Sequence, residues 1–165
     1  MRVLVAYGSK NGGTAGLAGM IGTGLLARGL DVEILPAADV HDMARFDAVI
    51  VAGALYAGRW HHDARRFVRA MADELSRLPV WLVSSGPLDD SATKTEIPPV
   101  PQVRKLGDRI GARGYRTFGG SLATDATGFP AHAMARTRAG DWRDSAEIRA
   151  WTQIVAAELL SQMVS

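Results

Sequence analysis

Arg2-Val3-Leu4-Val5-Ala6-Tyr7-Gly8-Ser9-Lys10-Asn11-Gly12-Gly13-Thr14 is an apolar run that leads straight into a turn rich in glycine and polar donors. Near-continuous apolar residues are what a strand buried on both faces requires. Thr14 to Arg28 reads as a helix, with Gly29 as its stop. A strand that feeds a helix through such a turn brings free backbone N–H groups and the positive end of a helix dipole to one point, which suits an anion. Ser9, Asn11 and Thr14 add hydroxyl and amide donors, Lys10 adds a cation, and Gly12 and Gly13 let the backbone close in. The same residues also fit a plain strand-to-helix turn with Thr14 as the helix N-cap.

Further apolar runs follow at Val32 to Leu35, Ala48 to Ala54, Val80 to Ser84 and Tyr115 to Leu122. Between them, His62 to Leu78 reads as a helix ended by Pro79, Val103 to Arg113 as one closed by Gly114, and Asp144 to Val164 as the last. Strands alternating with helices predict a parallel sheet covered by helices on both faces, and right-handed crossovers leave few topologies. The Pro-rich stretch Asp89 to Pro101 is expected to be a surface loop inside a single domain spanning 1–165. The first helix carries Gly13, Gly16, Gly19, Gly22 and Gly24. Each interior glycine costs about 1 kcal/mol of helix propensity, so close packing is expected at Gly19 and Gly22.

With 165 residues, 47% hydrophobic and 22% charged, the chain is large enough for one core and too apolar for disorder. It has no cysteine, which excludes disulfides, thiol nucleophiles and thiolate metal sites. His41 and His132 are isolated and no histidine pair has metal-ligand spacing with a carboxylate, so no metal site is expected. The first residues read as a strand rather than a leader, and the apolar runs fall short of the roughly 20 residues that span a bilayer. A cytoplasmic protein is expected. The formal charge is +2 and the isoelectric point about 9.3, with Lys and Arg scattered along the chain; nucleic acid is not an expected partner.

Other phosphate loops fit this turn poorly. It has no G-K-[ST] ending for a nucleoside triphosphate. No G-x-G-x-x-G directly follows the strand, and Leu35-Pro36 stands where a ribose-binding acid would. A phospho-acceptor receiver wants acids where this chain has Tyr7-Gly8 and Gly53-Ala54.

Tyr7 to Thr14 resembles the phosphate loop of flavodoxins, with Ser9, Asn11 and Thr14 matching its hydroxyl positions; Asn11 replaces a hydroxyl, and Gly13 stands where Asn is common. Gly53-Ala54-Leu55-Tyr56-Ala57-Gly58-Arg59-Trp60-His61 is similar to the corresponding loop of the flavodoxin-type, menaquinone-dependent protoporphyrinogen oxidases, through Gly58, Trp60 and His61. Gly140-Asp141-Trp142 is similar to that family's Asp-Trp before the last helix. The Asp89 to Pro101 and Thr124 to Gly140 loops depart from it.

The resemblance implies an α/β, flavodoxin-like, doubly wound five-stranded parallel sheet in the order 2-1-3-4-5, with FMN at the carboxyl ends of the strands. In such sheets ligands bind at the switch in strand order. The expected FMN contacts are Ser9, Lys10, Asn11, Gly12, Gly13 and Thr14 at the phosphate; Leu55, Tyr56, Ala57, Gly58, Arg59 and Trp60 along the ring; and Ser85, Gly86, Pro87 and Leu88 at its pyrimidine edge. Tyr56 and Trp60 are expected to stack on the ring, and Gly58 to turn its carbonyl toward flavin N5. His61 is the expected catalytic proton acceptor, with a helix-starting role as its alternative.

The implied function is an FMN oxidoreductase of the protoporphyrinogen oxidase type, passing electrons between the flavin and an organic or quinone substrate, at a membrane surface or with a redox partner protein. The alternatives are a flavodoxin-type electron carrier, usually acidic where this chain is basic, and a flavin-free binding module on the same fold.

Overall fold

In the computed structural model, which describes residues 1–9, 13–86, 97–119, 121–122, 140–141 and 145–164, the opening run is strand β1 (Arg2–Gly8). Its alternating side chains serve two separate cores: Leu4 and Ala6 lie in one, Val3 and Val5 in the other. Both faces are therefore buried, which is why the run reads as continuous rather than alternating.

The remaining parallel strands are β2 (Asp31–Pro36), β3 (Ala48–Tyr56), β5 (Val80–Ser85) and β6 (Gly114–Phe118), ordered β2-β1-β3-β5-β6. Counting parallel strands alone, this is the expected 2-1-3-4-5. A short strand β4 (Arg59–Trp60) adds antiparallel to the end of β3, so the sheet has six strands rather than five. Helix α1 (Gly13–Ala27) and the last helix α5 (Ser145–Val164) cover one face; α2 (His62–Ala70), α3 (Ala72–Leu75) and α4 (Pro101–Ile110) cover the other. Leu17, Ile21, Leu25, Ile50 and Leu159 are fully buried between α1, α5 and the sheet. Each such side chain stabilises the fold by about 1.5–3 kcal/mol relative to exposure.

Several boundaries differ from the sequence reading. The helix expected over His62 to Leu78 is interrupted at Met71 (φ −104°, ψ 19°), although Met71 N–H still reaches Phe67 O at 2.9 Å. The helix expected to close at Gly114 ends at Ile110, because Gly111 turns left-handed at φ 66°. The run Tyr115 to Leu122 divides: β6 stops at Phe118, and Ser121–Leu122 (β7) pairs instead with Gly140–Asp141 (β8) in a separate two-stranded ladder. Close packing explains Gly22, where a Cβ would come 2.5 Å from Ile34 of β2. It does not explain Gly19, where a Cβ would meet nothing within 4 Å.

Among the described residues, no helix is long and apolar enough to cross a membrane.

Candidate functional site

The switch in strand order falls between β1 and β3. The connection from β1 runs to α1 on one face, and that from β3 runs through β4 to α2 on the other. Their carboxyl ends, with that of β5, bring three predicted segments together. Gly8 ends β1 so close to the start of α2 that a Cβ there would come 2.8 Å from Ala64 N and 3.3 Å from His61 Nδ1. Gly86, just beyond β5, has φ 143°, and a Cβ on it would lie 3.5 Å from Leu55 Cβ of β3.

α1 begins at Gly13, so Thr14 sits inside the first turn, 1% exposed, and is not the N-cap. That first turn carries no acidic side chain, leaving its N–H dipole end without a competing carboxylate. Ser9 follows β1 directly and is half-buried. Lys10, Asn11 and Gly12, like Pro87, Leu88 and Trp142, lie outside the described residues.

The 55–60 segment is a tight hairpin. Leu55 pairs with Trp60 and Tyr56 with Arg59, leaving Ala57 (φ 51°) and Gly58 (φ 75°) as its two-residue tip. Positive φ at both positions is the type I′ geometry that matches the twist of the flanking strands. Glycine adopts it freely; alanine pays about 1–2 kcal/mol for it. Tyr56 is 41% exposed, and a Cβ on Gly58 would meet nothing within 4 Å, so the tip is open on that side.

Trp60 behaves otherwise than expected. It is 1% exposed, its indole N–H donates to Ser84 Oγ at 2.9 Å, and its ring packs on Gly53. A ring committed to the core on these contacts is not presented for stacking on a flavin. This corrects its assignment: of the pair, Tyr56 alone offers an exposed face. Two residues that the sequence reading passed over hold Trp60 in place. Its backbone N–H donates to Gln102 Oε1 of α4 at 2.9 Å, and its carbonyl accepts from Arg65 Nε at 3.1 Å. Neither has a sequence signature, because both contacts join segments distant in the chain or depend on rotamer alone.

His61 sits at the hairpin's exit as the N-cap of α2. Its Nδ1 accepts the Asp63 backbone N–H at 3.2 Å, and its own N–H donates to Ala54 O at 2.8 Å. An Nδ1 that accepts places the neutral ring's proton on Nε2. The His62 ring stacks on that of His61 (centroids 4.5 Å, 25° between planes), and His62 Nε2 lies 3.0 Å from Asp63 Oδ1. Ligand atoms of His61, His62 and Asp63 lie within 4.8 Å of one another. Nearly parallel stacked rings direct their in-plane lone pairs side by side rather than onto one ion, so this geometry is that of a hydrogen-bonded helix start. Tyr56 lies beside His61, ring centroids 6.3 Å apart.

The arrangement defines a doubly wound α/β protein whose strand-order switch is the candidate ligand site, with an acid-free α1 start on one side and an exposed aromatic at the β3–β4 tip on the other. Residues 4–138 match the model of the flavodoxin domain family, and the chain belongs to that family. Membership implies FMN as the cofactor. The uncharged first turn of α1 and the open Tyr56–Gly58 tip fit a phosphate and a planar ring. Among solved structures, a mutant flavodoxin from Pseudomonas aeruginosa is 22% identical with a TM-score of 0.60, over 95% of this chain and 97% of that one. Oxidised flavodoxin 1 from Bacillus cereus is 14% identical with a TM-score of 0.59, over 93% and 95%. Rubredoxin oxygen:oxidoreductase from Desulfovibrio gigas is 14% identical with a TM-score of 0.68, over 99% of this chain but 37% of that longer one. No match to a curated protein was found.

Proposed function

We propose that the protein is an FMN-dependent electron-transfer protein of the flavodoxin kind. The observation that carries this reading is the pairing of an acid-free α1 start with the exposed, tightly held Tyr56–Gly58 tip across the sheet's switch point. Bound FMN would supply the redox chemistry. The chain's own part is to hold and screen it. Backbone N–H groups of the α1 start, with Ser9 and the 10–14 segment, would take the phosphate. Tyr56 would cover one ring face, the 57–58 peptide would meet the ring edge, and Ser85–Gly86 would border the pyrimidine side.

The protoporphyrinogen oxidase type, with a quinone or other organic substrate, is the second reading, favoured by the nearness of His61 to Tyr56. It asks His61 to accept a proton. Its Nδ1 lone pair is already engaged by Asp63 N–H, which supports the carrier reading over this one.

Titration of the purified protein with FMN and with riboflavin, followed by quenching of flavin fluorescence, tests the proposal. FMN should bind at least tenfold more tightly, because only FMN brings an anion to the helix start. Equal affinities would remove the phosphate site. Turnover of a benzoquinone or a porphyrinogen at rates matching those with protein electron donors would favour the oxidase.

A further inference from the structure

The basic residues look scattered along the sequence, but the fold sorts them. Residues 59–78 and 101–110, which build the hairpin tip and the α2–α4 layer, hold eight Arg and Lys against four Asp and Glu. α1, on the opposite face, has no charged residue at all, and α5 has one Arg against two Glu. Residues 31–47, at the β2 edge, hold five Asp and Glu against one Arg. Among the described residues, charge is thus unevenly shared between these segments.

The basic segments reach the candidate site. Arg59 is exposed at the hairpin tip. His62, Arg66 and Arg69 follow along α2 at i, i+4 and i+7, all exposed, and so share one outward stripe that starts beside Tyr56 and His61. Among the described residues, Arg59, Arg66 and Arg69 have no carboxylate within ion-pairing distance. Elsewhere Arg45 pairs with Glu33, Arg113 with Glu158 and Arg116 with Glu147, while Arg28 and Arg149 are, like the stripe, outside ion-pairing distance of a described carboxylate. Unpaired, hydrated guanidinium groups cost the fold little and remain available to a partner.

We propose that this stripe is the docking surface for an acidic redox partner protein, whose surface carboxylates pair with Arg59, Arg66 and Arg69 and bring its redox centre to the Tyr56 edge. The inference rests on the FMN electron-transfer reading above. Charge complementarity fixes the partner's sign, and the acidic β2 edge fixes its orientation by repelling it from that side. Asp63, Asp73, Glu74 and Asp108 are interspersed in the basic layer, which suits discrete carboxylate–arginine pairs better than a continuous polyphosphate or lipid surface.

The test uses the full FMN-loaded protein and, as probe, a reduced acidic [2Fe–2S] ferredoxin. One electron leaves the cluster, which is oxidised, and enters the flavin, which is reduced by one electron. Stopped-flow rates should fall tenfold or more between about 20 and 300 mM salt, as steered association does. A basic cytochrome c, reduced by the flavin in the opposite direction, should show a flat or rising rate. Arg66→Glu/Arg69→Glu should lower the low-salt ferredoxin rate about tenfold and flatten its salt dependence, and Arg66→Ala/Arg69→Ala should do so more weakly. Calorimetric binding of the oxidised ferredoxin should weaken in parallel, while FMN affinity and the rate with a neutral benzoquinone stay as in the parent. Unchanged ferredoxin rates and salt slopes in both variants would overturn the docking surface. Tighter salt-sensitive binding to phosphatidylserine vesicles than to ferredoxin, lost in the variants, would overturn it in favour of a membrane. Failure of the parent to bind FMN would show at the titration step, and would remove the electron-transfer reading along with the proposal.

Discussion

The Trp60 indole lies so close over the α-carbon of Gly53 that a Cβ there would come 2.7 Å from the ring. The ring cannot retreat, because it is buried and tied to Ser84. Gly53→Ala should therefore destabilise the protein by about 1–3 kcal/mol through overpacking. Gly19→Ala, where the new methyl meets nothing, should stabilise it by up to about 1 kcal/mol through helix propensity. Thermal and urea denaturation of the pair measures both, and equal effects would show that ring and glycine are not in contact.

Replacing His61 separates its two roles. His61→Ala removes the α2 cap and should cost about 1 kcal/mol of stability, while His61→Asn, which caps equally well, should restore most of it. If His61 is a cap only, flavin reduction rates in the Asn variant match the parent at every pH. A rate loss of 100-fold or so would instead identify a general base.

Tyr56→Ala should weaken FMN by about 1–2 kcal/mol and make the bound flavin more fluorescent, since the exposed aromatic face at the tip is lost. Trp60→Phe should leave that fluorescence close to the parent's while lowering stability, because its indole serves the core.

Ala57 is the described non-glycine residue with positive φ, at 51°. Ala57→Gly should raise stability by about 1 kcal/mol, the relief of left-handed strain being partly offset by the greater freedom of unfolded glycine. Denaturant midpoints measure it; a loss of stability would mean the tip is held in another conformation.

Burial raises the Tyr115 phenol above its ordinary value of 10.0, with Asp108 adding to the shift and Arg104 opposing it. The fold thus prefers the neutral phenol. Its contribution is complete below the unfolded value and is lost as pH rises through the folded one. Urea midpoints should fall across the alkaline range, and Tyr115→Phe should make that fall shallower. An identical alkaline limb in the two proteins would assign the decline to other groups.

Much of the fold was legible because buried parallel strands are apolar throughout and helices carry clear stops. The alternation of strands and helices followed from that, and the strand order from the resemblance to flavodoxins. Trp60 was misread because a loop aromatic looks the same in sequence whether it faces a ligand or folds inward; its direction depends on Gly53 across the hairpin and on Ser84 and Gln102, both remote in the chain. β4 escaped notice because two residues carry no periodicity. The basic face was invisible because charge sorting is a property of helix placement, not of sequence order.

The two-residue turn at Ala57–Gly58 also limits how this region can change over time. Its register pairs Leu55 with Trp60, so an inserted residue has to be absorbed within the turn, as a longer loop or bulge, if Trp60 is to stay in the core. Length is therefore constrained by Trp60, and identity by the positive φ at 57 and 58, which residues other than glycine adopt only at a cost. Adaptation through this loop therefore falls on the few residues that accept left-handed backbone, chiefly Gly, Asn and Asp at 57 and 58.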